Sequence, residues 1–270
     1  MTAALGFLAW AERDGTDMSS PYEYPEYYEL AFSYRDFARE VDVFEECIRR
    51  YSGAPVSRVL EICCGHAPHL PALHARGYRY IGLDRSERML KRASEQAERI
   101  GAPIELIRQS LVDFSLQPPA DFAFVALASL YARSTGELAA HFDCMARALR
   151  PGALYFLEWC VDFDPMVDVV DSWEVRHGPT IVKGSFWTRC LNRVEQIYED
   201  TLHLDVTDNG ARKVLEDKSV RRRIFPQEFL MFIAQHSAFE FVGWWNDWDL
   251  DQPLTGAYAT DRPIVLVRRV

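Results

Sequence analysis

The residues best suited to chemistry are a glycine turn that follows a short apolar strand and an acid about twenty residues later. Residues 59–62 are apolar apart from Glu61, and they pass into a turn around Gly65. A glycine among small residues lets the backbone approach a ligand at the carboxyl end of a strand. Asp84 closes the next apolar run, residues 80–83, where a carboxylate can accept both hydroxyls of a ribose. Together these features predict a site for an adenosine-containing cofactor.

Four stretches of the sequence resemble the class I S-adenosylmethionine-dependent methyltransferases: VLEICCGHAPHL, YIGLDRSERMLKRA, IRQSLVDF and ARALRPGALYFLEW. The resemblance covers roughly residues 28–159. It implies an enzyme that uses S-adenosylmethionine to methylate oxygen or nitrogen on a small molecule. The residues that it assigns to the cofactor are Tyr28, Arg35, Glu61, Cys63, Gly65, His66, Asp84, Arg85, Met89, Ser110, Leu111 and Ala128.

The resemblance also implies which part of the cofactor each residue meets. Residues 61–67 line the methionine side, Asp84 holds the ribose, and Met89 packs beside the adenine. Tyr28 and Arg35, on the helix before the first strand, are candidates to meet the methionine carboxylate, which suits the forked donors of arginine. The alternative for Arg35 is an ordinary position on the surface of that helix.

The turn departs from the usual GxGxG pattern of the family, because it has Cys63 and Ala67 where glycines are common and keeps only Gly65. Both residues are small enough to allow a similar backbone path, but they lack the freedom of glycine at positive φ. The departure leaves open a non-catalytic or regulatory protein that binds S-adenosylmethionine. A protein that uses the cofactor's charge for a different reaction, and a NAD-binding fold with its own glycine turn, are further alternatives.

Candidates to face the substrate lie where strand ends converge, and one lies in a later insertion. They are Tyr131, Glu158, Trp187 and Asn246. For Glu158 an internal salt bridge is the competing interpretation. His66 could act as a base, although packing is the commoner role in such a turn. We predict no single catalytic base, since a sulfonium methyl group is already electrophilic and needs mainly alignment and exclusion of water.

The elements that must position these residues alternate between strands and helices. Strands are predicted at residues 59–63, 80–83, 104–107, 122–127 and 154–159, with helices at 86–100 and 135–149 among them, after one or two helices within 27–51. A helix at 226–236 and strands at 241–245 and 263–268 follow. This order predicts an α/β fold: a doubly wound, mostly parallel, seven-stranded Rossmann-like sheet.

An antiparallel β insertion is predicted after the fifth strand, at residues 171–225, with a hairpin turn at Asp208-Asn209-Gly210. By analogy with related enzymes, we expect it to cover the active site. The basic run Arg221-Arg222-Arg223 is interpreted as an exposed strand end. Residues 1–20 are expected to form a loose leader before a methyltransferase domain at 21–270.

Composition narrows the possible partners. A formal net charge of −10 argues against a general nucleic-acid binder, which needs lysine and arginine to neutralise phosphates. The six cysteines lack CxxC spacing and the histidines lack metal-ligand spacing, so we expect reduced thiols and no metal. The apolar residues 3–10 are too short for a membrane helix or signal peptide. We therefore expect a cytoplasmic protein with a small-molecule substrate, and the sequence does not predict its oligomeric state.

Overall fold

A computed structural model describes residues 19–164, 170–256 and 260–270 of the chain. Its larger sheet has seven strands in the spatial order β3-β2-β1-β4-β5-β11-β10. Their bounds are β1 (Arg58–Ile62), β2 (Arg79–Asp84), β3 (Ile104–Arg108), β4 (Ala120–Val125), β5 (Leu149–Glu158), β10 (Phe239–Trp245) and β11 (Ile264–Arg269). Strands β1 to β5 pair in parallel, while β11 runs antiparallel to both neighbours. The predicted doubly wound, mostly parallel sheet is confirmed.

Six α-helices occur within the described ranges: α1 (Pro25–Ala31), α2 (Phe37–Tyr51), α3 (Leu70–Ala75), α4 (Glu87–Ile100), α5 (Thr135–Ala148) and α6 (Pro226–Gln235). The amphipathic stretch at 27–51 therefore forms two helices, because Asp36 starts a new one by accepting the Arg39 N–H at 3.0 Å. Helix α4 has the predicted boundaries, with Ser86 as its N-cap and Gly101 at a φ of 65° after its last turn.

The predicted antiparallel insertion is present as a second, four-stranded sheet. Its strands are β6 (Val170–His177), β7 (Thr180–Asn192), β8 (Ile197–Asp208) and β9 (Ala211–Arg222), each paired with the next. Strands β8 and β9 meet at the predicted hairpin, where Asn209 and Gly210 have φ values of 49° and 82°. Two successive residues at positive φ give the turn whose twist matches that of the flanking strands.

A small separate core joins the inserted sheet to helix α1. Leu204 and Leu215 of the sheet and Ala31 of the helix are fully buried there. Trp173 lies over Gly184 on the neighbouring strand, where a side chain would collide with the indole ring. The indole N–H of Trp173 donates to the Ala31 carbonyl at 2.7 Å. The N-terminal helix and the insertion are therefore packed together as one layer.

Most of the predicted leader, residues 1–18, lies outside the described residues. Ser19 pairs with Leu215 of β9, and its carbonyl accepts the Glu216 N–H at 3.1 Å. A 3₁₀ helix at Pro21–Glu23 follows and leads directly into α1. The chain is thus tied to the inserted sheet a few residues before the point at which the sequence predicted order.

The prediction that Arg221-Arg222-Arg223 forms an exposed strand end is wrong about exposure. Arg221 and Arg223 are only 5% and 2% exposed, although Arg221 lies near the end of β9 and Arg223 directly follows the strand, which ends at Arg222. Arg221 Nε donates to Asp200 Oδ2 at 2.7 Å, and the guanidinium of Arg223 lies 3.9 Å from the centre of the Tyr198 ring. The strand alternation placed these side chains on the inward face, where acids and aromatic rings cover them. All six cysteines are free thiols.

Candidate active site

The turn after β1 has the backbone of a glycine-rich turn although it contains one glycine. Cys63, Gly65 and Ala67 have φ values of 56°, 53° and 58°, the left-handed region that side chains other than glycine seldom adopt. The Cys64 N–H donates to the Leu83 carbonyl at 3.0 Å, and the Ala67 N–H donates to the Cys64 carbonyl at 2.8 Å. Among the described residues, no atom lies within 4 Å of where a side chain on Gly65 would begin. The turn therefore leaves room for close approach of a ligand.

Asp84, at the carboxyl end of β2, lies beside this turn. Its Oδ2 accepts the Gly65 N–H at 2.9 Å, and its Oδ1 accepts the Ser86 N–H at 2.8 Å. Burial raises the pKa of the Asp84 carboxyl, and the two backbone donors offset only part of that effect. Because each carboxylate oxygen accepts about two hydrogen bonds, both oxygens keep capacity for another donor. This geometry fits the predicted ribose contact.

Three tyrosines form a group beside Asp84, and we call the region that they border the cleft: Tyr22, Tyr28 and Tyr131. Each keeps some exposed surface, yet burial raises the pKa of all three, as expected for side chains on the wall of an enclosed cleft. The rings of Tyr22 and Tyr28 are 5.5 Å apart between centroids, and the Asp84 charge further raises the pKa of both. The sequence predicted roles for Tyr28 and Tyr131 but missed Tyr22, which precedes the first helical pattern.

The turn after β4 contacts the turn after β1. The Cys63 thiol lies 3.4 Å from the Ser129 carbonyl, so the turns after β1 and β4 touch. Leu127 and Ala128 both have left-handed φ values, 53° and 54°. The Leu127 N–H donates to Glu158 Oε2 at 2.7 Å, which holds the second turn in place.

Glu158, predicted to face the substrate, is fully buried. Its Oε1 accepts the indole N–H of Trp248 at 2.9 Å and the Arg262 Nε–H at 2.6 Å. In this conformation the carboxylate has no surface to offer a substrate, and its contacts match the salt-bridged interpretation that the sequence left open. Glu158 shapes the turn after β4 from inside the protein.

A chain of buried polar groups lies beneath the turn after β1, and we call it the buried network: Arg35, Glu40, His69, Glu61 and Tyr80. Arg35 donates to both Glu40 oxygens at 3.0 and 2.6 Å. His69 Nε2 lies 2.8 Å from Glu40 Oε2, and its Nδ1 lies 2.8 Å from Glu61 Oε1. The Tyr80 hydroxyl donates to Glu61 Oε2 at 2.5 Å. The network thus joins α2, α3, β1 and β2.

The hydrogen bonds of the buried network fix the charge of its histidine. Both neighbours of His69 are carboxylates, which only accept, so both ring nitrogens carry a proton. Burial opposes this charge, but Glu61 and Glu40 outweigh it and raise the pKa of His69. Burial likewise opposes the charge of Glu40, yet the hydrogen bond from His69 and the charge of Arg35 lower its pKa to about 2.

Arg35 and Glu61, which the sequence assigned to the cofactor, are therefore engaged inside the protein and support the turn from beneath. Their direct contact with a cofactor stays a prediction. The sequence analysis did not identify Glu40 or His69, because neither belongs to a motif and the two are 29 positions apart.

His66, on the turn itself, is 5% exposed. Burial lowers its pKa to about 4, so the ring is neutral at pH 7. Its edge meets the Tyr28 ring at 6.0 Å between centroids, and its Nδ1 has no hydrogen-bond partner within the described part of the chain. Met89 is buried in the first turn of α4, the helix that follows Asp84 in the chain.

The other predicted residues lie on neighbouring elements. Arg85 and Ser110 are exposed after β2 and β3, and Leu111 packs against the core. Asn246 Oδ1 accepts the Asp261 N–H at 2.8 Å and so fixes a loop. Trp187 is partly buried on β7, with its ring 6.2 Å from that of His203. Contact of these residues with a cofactor or substrate stays a prediction.

No group of three or more His, Cys, Asp or Glu side chains in the described ranges is arranged to hold a metal ion. Among the helices of the same ranges, none combines the length and the apolar character needed to cross a bilayer.

Comparison with known proteins agrees with the geometry of this site. Residues 59–152 match the family model described as a methyltransferase domain. These residues contain the turn after β1, Asp84 and the turn after β4. A search of curated protein sequences finds no match.

Several solved structures share the fold at low sequence identity. DesVI of Streptomyces venezuelae has a TM-score of 0.72 at 19% identity, covering 96% of this chain and 100% of that one. An S-adenosylmethionine-dependent methyltransferase from Clostridium acetobutylicum has a TM-score of 0.72 at 14% identity, covering 90% and 95%. The amino pentose methyltransferase CalS10 from Micromonospora echinaspora has a TM-score of 0.69 at 18% identity, covering 96% and 100%. At these identities the likeness shows the fold alone.

Proposed function

We propose, from the match of residues 59–152 to a methyltransferase domain and from the geometry of the cleft, that the protein transfers the methyl group of S-adenosylmethionine to a nitrogen or oxygen of a small molecule. Nitrogen is the favoured acceptor, since the similar folds include an amino pentose methyltransferase and a sugar N-methyltransferase from a Streptoalloteichus species. The cofactor is the one that the sequence predicted.

One observation carries this proposal: the left-handed turn at Cys63, Gly65 and Ala67 is hydrogen-bonded to Asp84. The open side of Gly65 and the remaining acceptor capacity of the Asp84 carboxylate fit a nucleoside ligand. When bound, S-adenosylmethionine supplies a methyl group on a positively charged sulfur, which is already electrophilic. The protein therefore needs to position both partners and keep water out.

The residues of the cleft suit these tasks. Asp84 would fix the ribose, and the turn after β1 would let the methionine part lie against the backbone. Tyr22 and Tyr28, whose rings pack together at 5.5 Å, would exclude water from one side, while Tyr131 would do so from the other. Aromatic faces also attract a nearby cation such as the sulfonium.

Calorimetry with S-adenosylmethionine tests the proposal. We expect a Kd on the order of micromolar for the intact protein, lost in Asp84→Ala because the ribose loses its acceptor. Asp251→Ala is the matched control, since its side chain is 78% exposed and pairs with Arg50. An intact protein that fails to bind S-adenosylmethionine would contradict the proposal.

Turnover separates an enzyme from the regulatory alternative. Incubation with S-adenosylmethionine and a panel of small amines and alcohols should yield S-adenosylhomocysteine and a product heavier by one methyl group in place of hydrogen. Tight cofactor binding with no methylated product across the panel would instead favour a non-catalytic protein. A product of any other mass would indicate a different reaction that uses the same cofactor.

A further inference from the structure

The inward face of the inserted sheet changes from apolar to ionic along β8 and β9. Residues paired directly across two antiparallel strands share a face, and alternate pairs repeat on it. At one end, Leu204 pairs with Leu215 in the core shared with α1. Toward the other end, the inward pairs are Leu202 with Asp217, Asp200 with Ser219, and Tyr198 with Arg221.

Two contacts join the ionic part of this face to segments that carry the tyrosines of the cleft. On one side, the Ser20 hydroxyl lies 3.4 Å from Asp217 Oδ1, and Tyr22 follows two residues later. On the other side, the Arg222 N–H donates to the Ala132 carbonyl at 2.8 Å, next to Tyr131. The inward residues between these two contacts are Asp200, Asp217 and Ser219, which we call the acidic roof.

Electrostatics agrees with this placement. Burial raises the pKa of Tyr131, and the charges of Asp200 and Asp217 raise it further. Burial also raises the pKa of Tyr22, on which Asp217 and Asp84 both act in the same direction. Tyr22 therefore lies within electrostatic range of both Asp217 and Asp84, and Tyr131 lies within range of the acidic roof.

One carboxylate oxygen of the acidic roof is buried without a hydrogen-bond donor among the described residues. Asp200 is 2% exposed, and its Oδ2 accepts from Arg221 Nε at 2.7 Å, but its Oδ1 has no hydrogen-bond partner among the residues described. Asp217 is partly exposed and accepts the Ser219 hydroxyl at 2.8 Å. A buried carboxylate oxygen without a donor is costly and points to a ligand that supplies one. Around this part of the face, three carboxylates (Asp162, Asp200 and Asp217) outnumber two buried guanidinium groups (Arg221 and Arg223), so the charge balance favours a cation.

We propose that the acidic roof is the acceptor subsite and that it recognises a small molecule through a protonated amine. An ammonium group supplies N–H donors and positive charge to Asp200 and Asp217, and the aromatic walls of the cleft add to its attraction. A neutral hydroxyl supplies one donor and no charge. This inference deepens the proposed methyl transfer and rests on it for the identity of the bound amine as the acceptor. Before transfer, the ammonium group gives one N–H proton to a carboxylate of the acidic roof. The freed nitrogen lone pair then bonds to the methyl carbon while the carbon–sulfur bond breaks and its electron pair stays on sulfur.

The test compares two probes of the same ring size, cyclohexylamine and cyclohexanol, by saturation-transfer NMR at pH 7 without cofactor. We expect the amine to bind about tenfold more tightly than the alcohol. Asp217→Asn and Asp200→Asn should each weaken amine binding about tenfold and leave alcohol binding unchanged. The matched control is Asp205→Asn, on the outward face of β8, where Arg212 pairs with the carboxylate at 2.8 Å.

Equal affinities for the two probes, or no binding of either, would overturn the proposal. Because this comparison uses the intact protein, it does not depend on whether the variants fold. Asp217→Asn and Asp200→Asn proteins that bind the amine as well as Asp205→Asn does would overturn it too. Calorimetry with S-adenosylmethionine distinguishes failure of the acidic-roof proposal from failure of the proposed function. A protein that binds S-adenosylmethionine but does not prefer the amine refutes the acidic roof alone, whereas absence of cofactor binding refutes the proposed function.

Discussion

The buried network and the acidic roof use the same residue types in opposite ways. In the network, every carboxylate oxygen of Glu40 and Glu61 accepts at least one hydrogen bond from Arg35, His69 or Tyr80. In the acidic roof, Asp200 is as deeply buried, but one of its oxygens lacks a donor within the described ranges. Burial alone therefore does not separate structural acids from ligand-binding acids. The two kinds of acid differ in the number of hydrogen-bond donors that the fold itself supplies to the carboxylate.

The largest effect that would sharpen this contrast is the loss of His69. His69→Leu would leave Glu40 and Glu61 buried without the cation between them, so we expect the free energy of unfolding to fall by about 3–5 kcal/mol. The measurement is urea denaturation at pH 6. His141→Leu is the control, because His141 is equally buried but neutral, bonded to the Leu111 carbonyl and the Tyr155 hydroxyl at 2.8 and 2.9 Å. A His69 variant no less stable than the His141 variant would contradict the charge assigned to the network.

The protonation of His69 gives the second prediction. Its pKa is raised by Glu61 and Glu40 against the effect of burial, so its stabilising contribution is complete below the unfolded value of about 6.5 and is lost as pH rises through the folded value. Each unit of difference corresponds to about 1.4 kcal/mol. Histidine ¹⁵N NMR should show His69 doubly protonated at pH 7. His66 and His141, whose pKa values burial lowers to about 4, should be neutral in the same spectrum. A neutral His69 at pH 7 would refute the assignment.

Neutralising an acid of the acidic roof should instead raise the free energy of unfolding. Asp217 is partly exposed and shares its surface with Asp200, so neutralising it removes repulsion and keeps an oxygen that can accept from Ser219. We expect Asp217→Asn to raise the free energy of unfolding by about 0.5 kcal/mol, as is common when a binding site is made less functional. Urea denaturation beside Asp205→Asn measures this. A loss of several kcal/mol would place Asp217 with the structural acids.

The sequence was informative wherever the signal was local. The strand and turn around Gly65, the acid that closes β2, and the ends of α4 each depend on neighbours within a few positions, and all were predicted. Both ionic clusters depend on partners far apart in the chain: Glu40 and His69 of the buried network are 29 positions apart, and Ser20 is 197 positions from Asp217 of the acidic roof. Alternation along β9 could predict that Arg221 shares a face with Ser219, but not that other elements would cover that face.

In the turn after β1, the residue types alone did not indicate the backbone conformation that the structure shows. This turn also gives the prediction with the smallest expected effect. The sequence left open a non-catalytic protein, because Cys63 and Ala67 replace glycine, the residue that adopts positive φ freely. In the structure both already have left-handed φ values, 56° and 58°.

The double variant Cys63→Gly/Ala67→Gly, which restores the usual GxGxG pattern, should therefore change the Kd for S-adenosylmethionine by less than about threefold, or roughly 0.65 kcal/mol. Glycine removes the strain of the left-handed conformation, but it also removes buried side-chain contacts of Ala67 and gives the unfolded chain more freedom. Calorimetry on the double variant and the intact protein measures the difference. A gain of more than tenfold would mean that the altered motif had impaired the site, which would revive the regulatory alternative. An unchanged Kd would mean that the fold, through the hydrogen bonds of Cys64 and Ala67, imposes the path that glycines impose elsewhere.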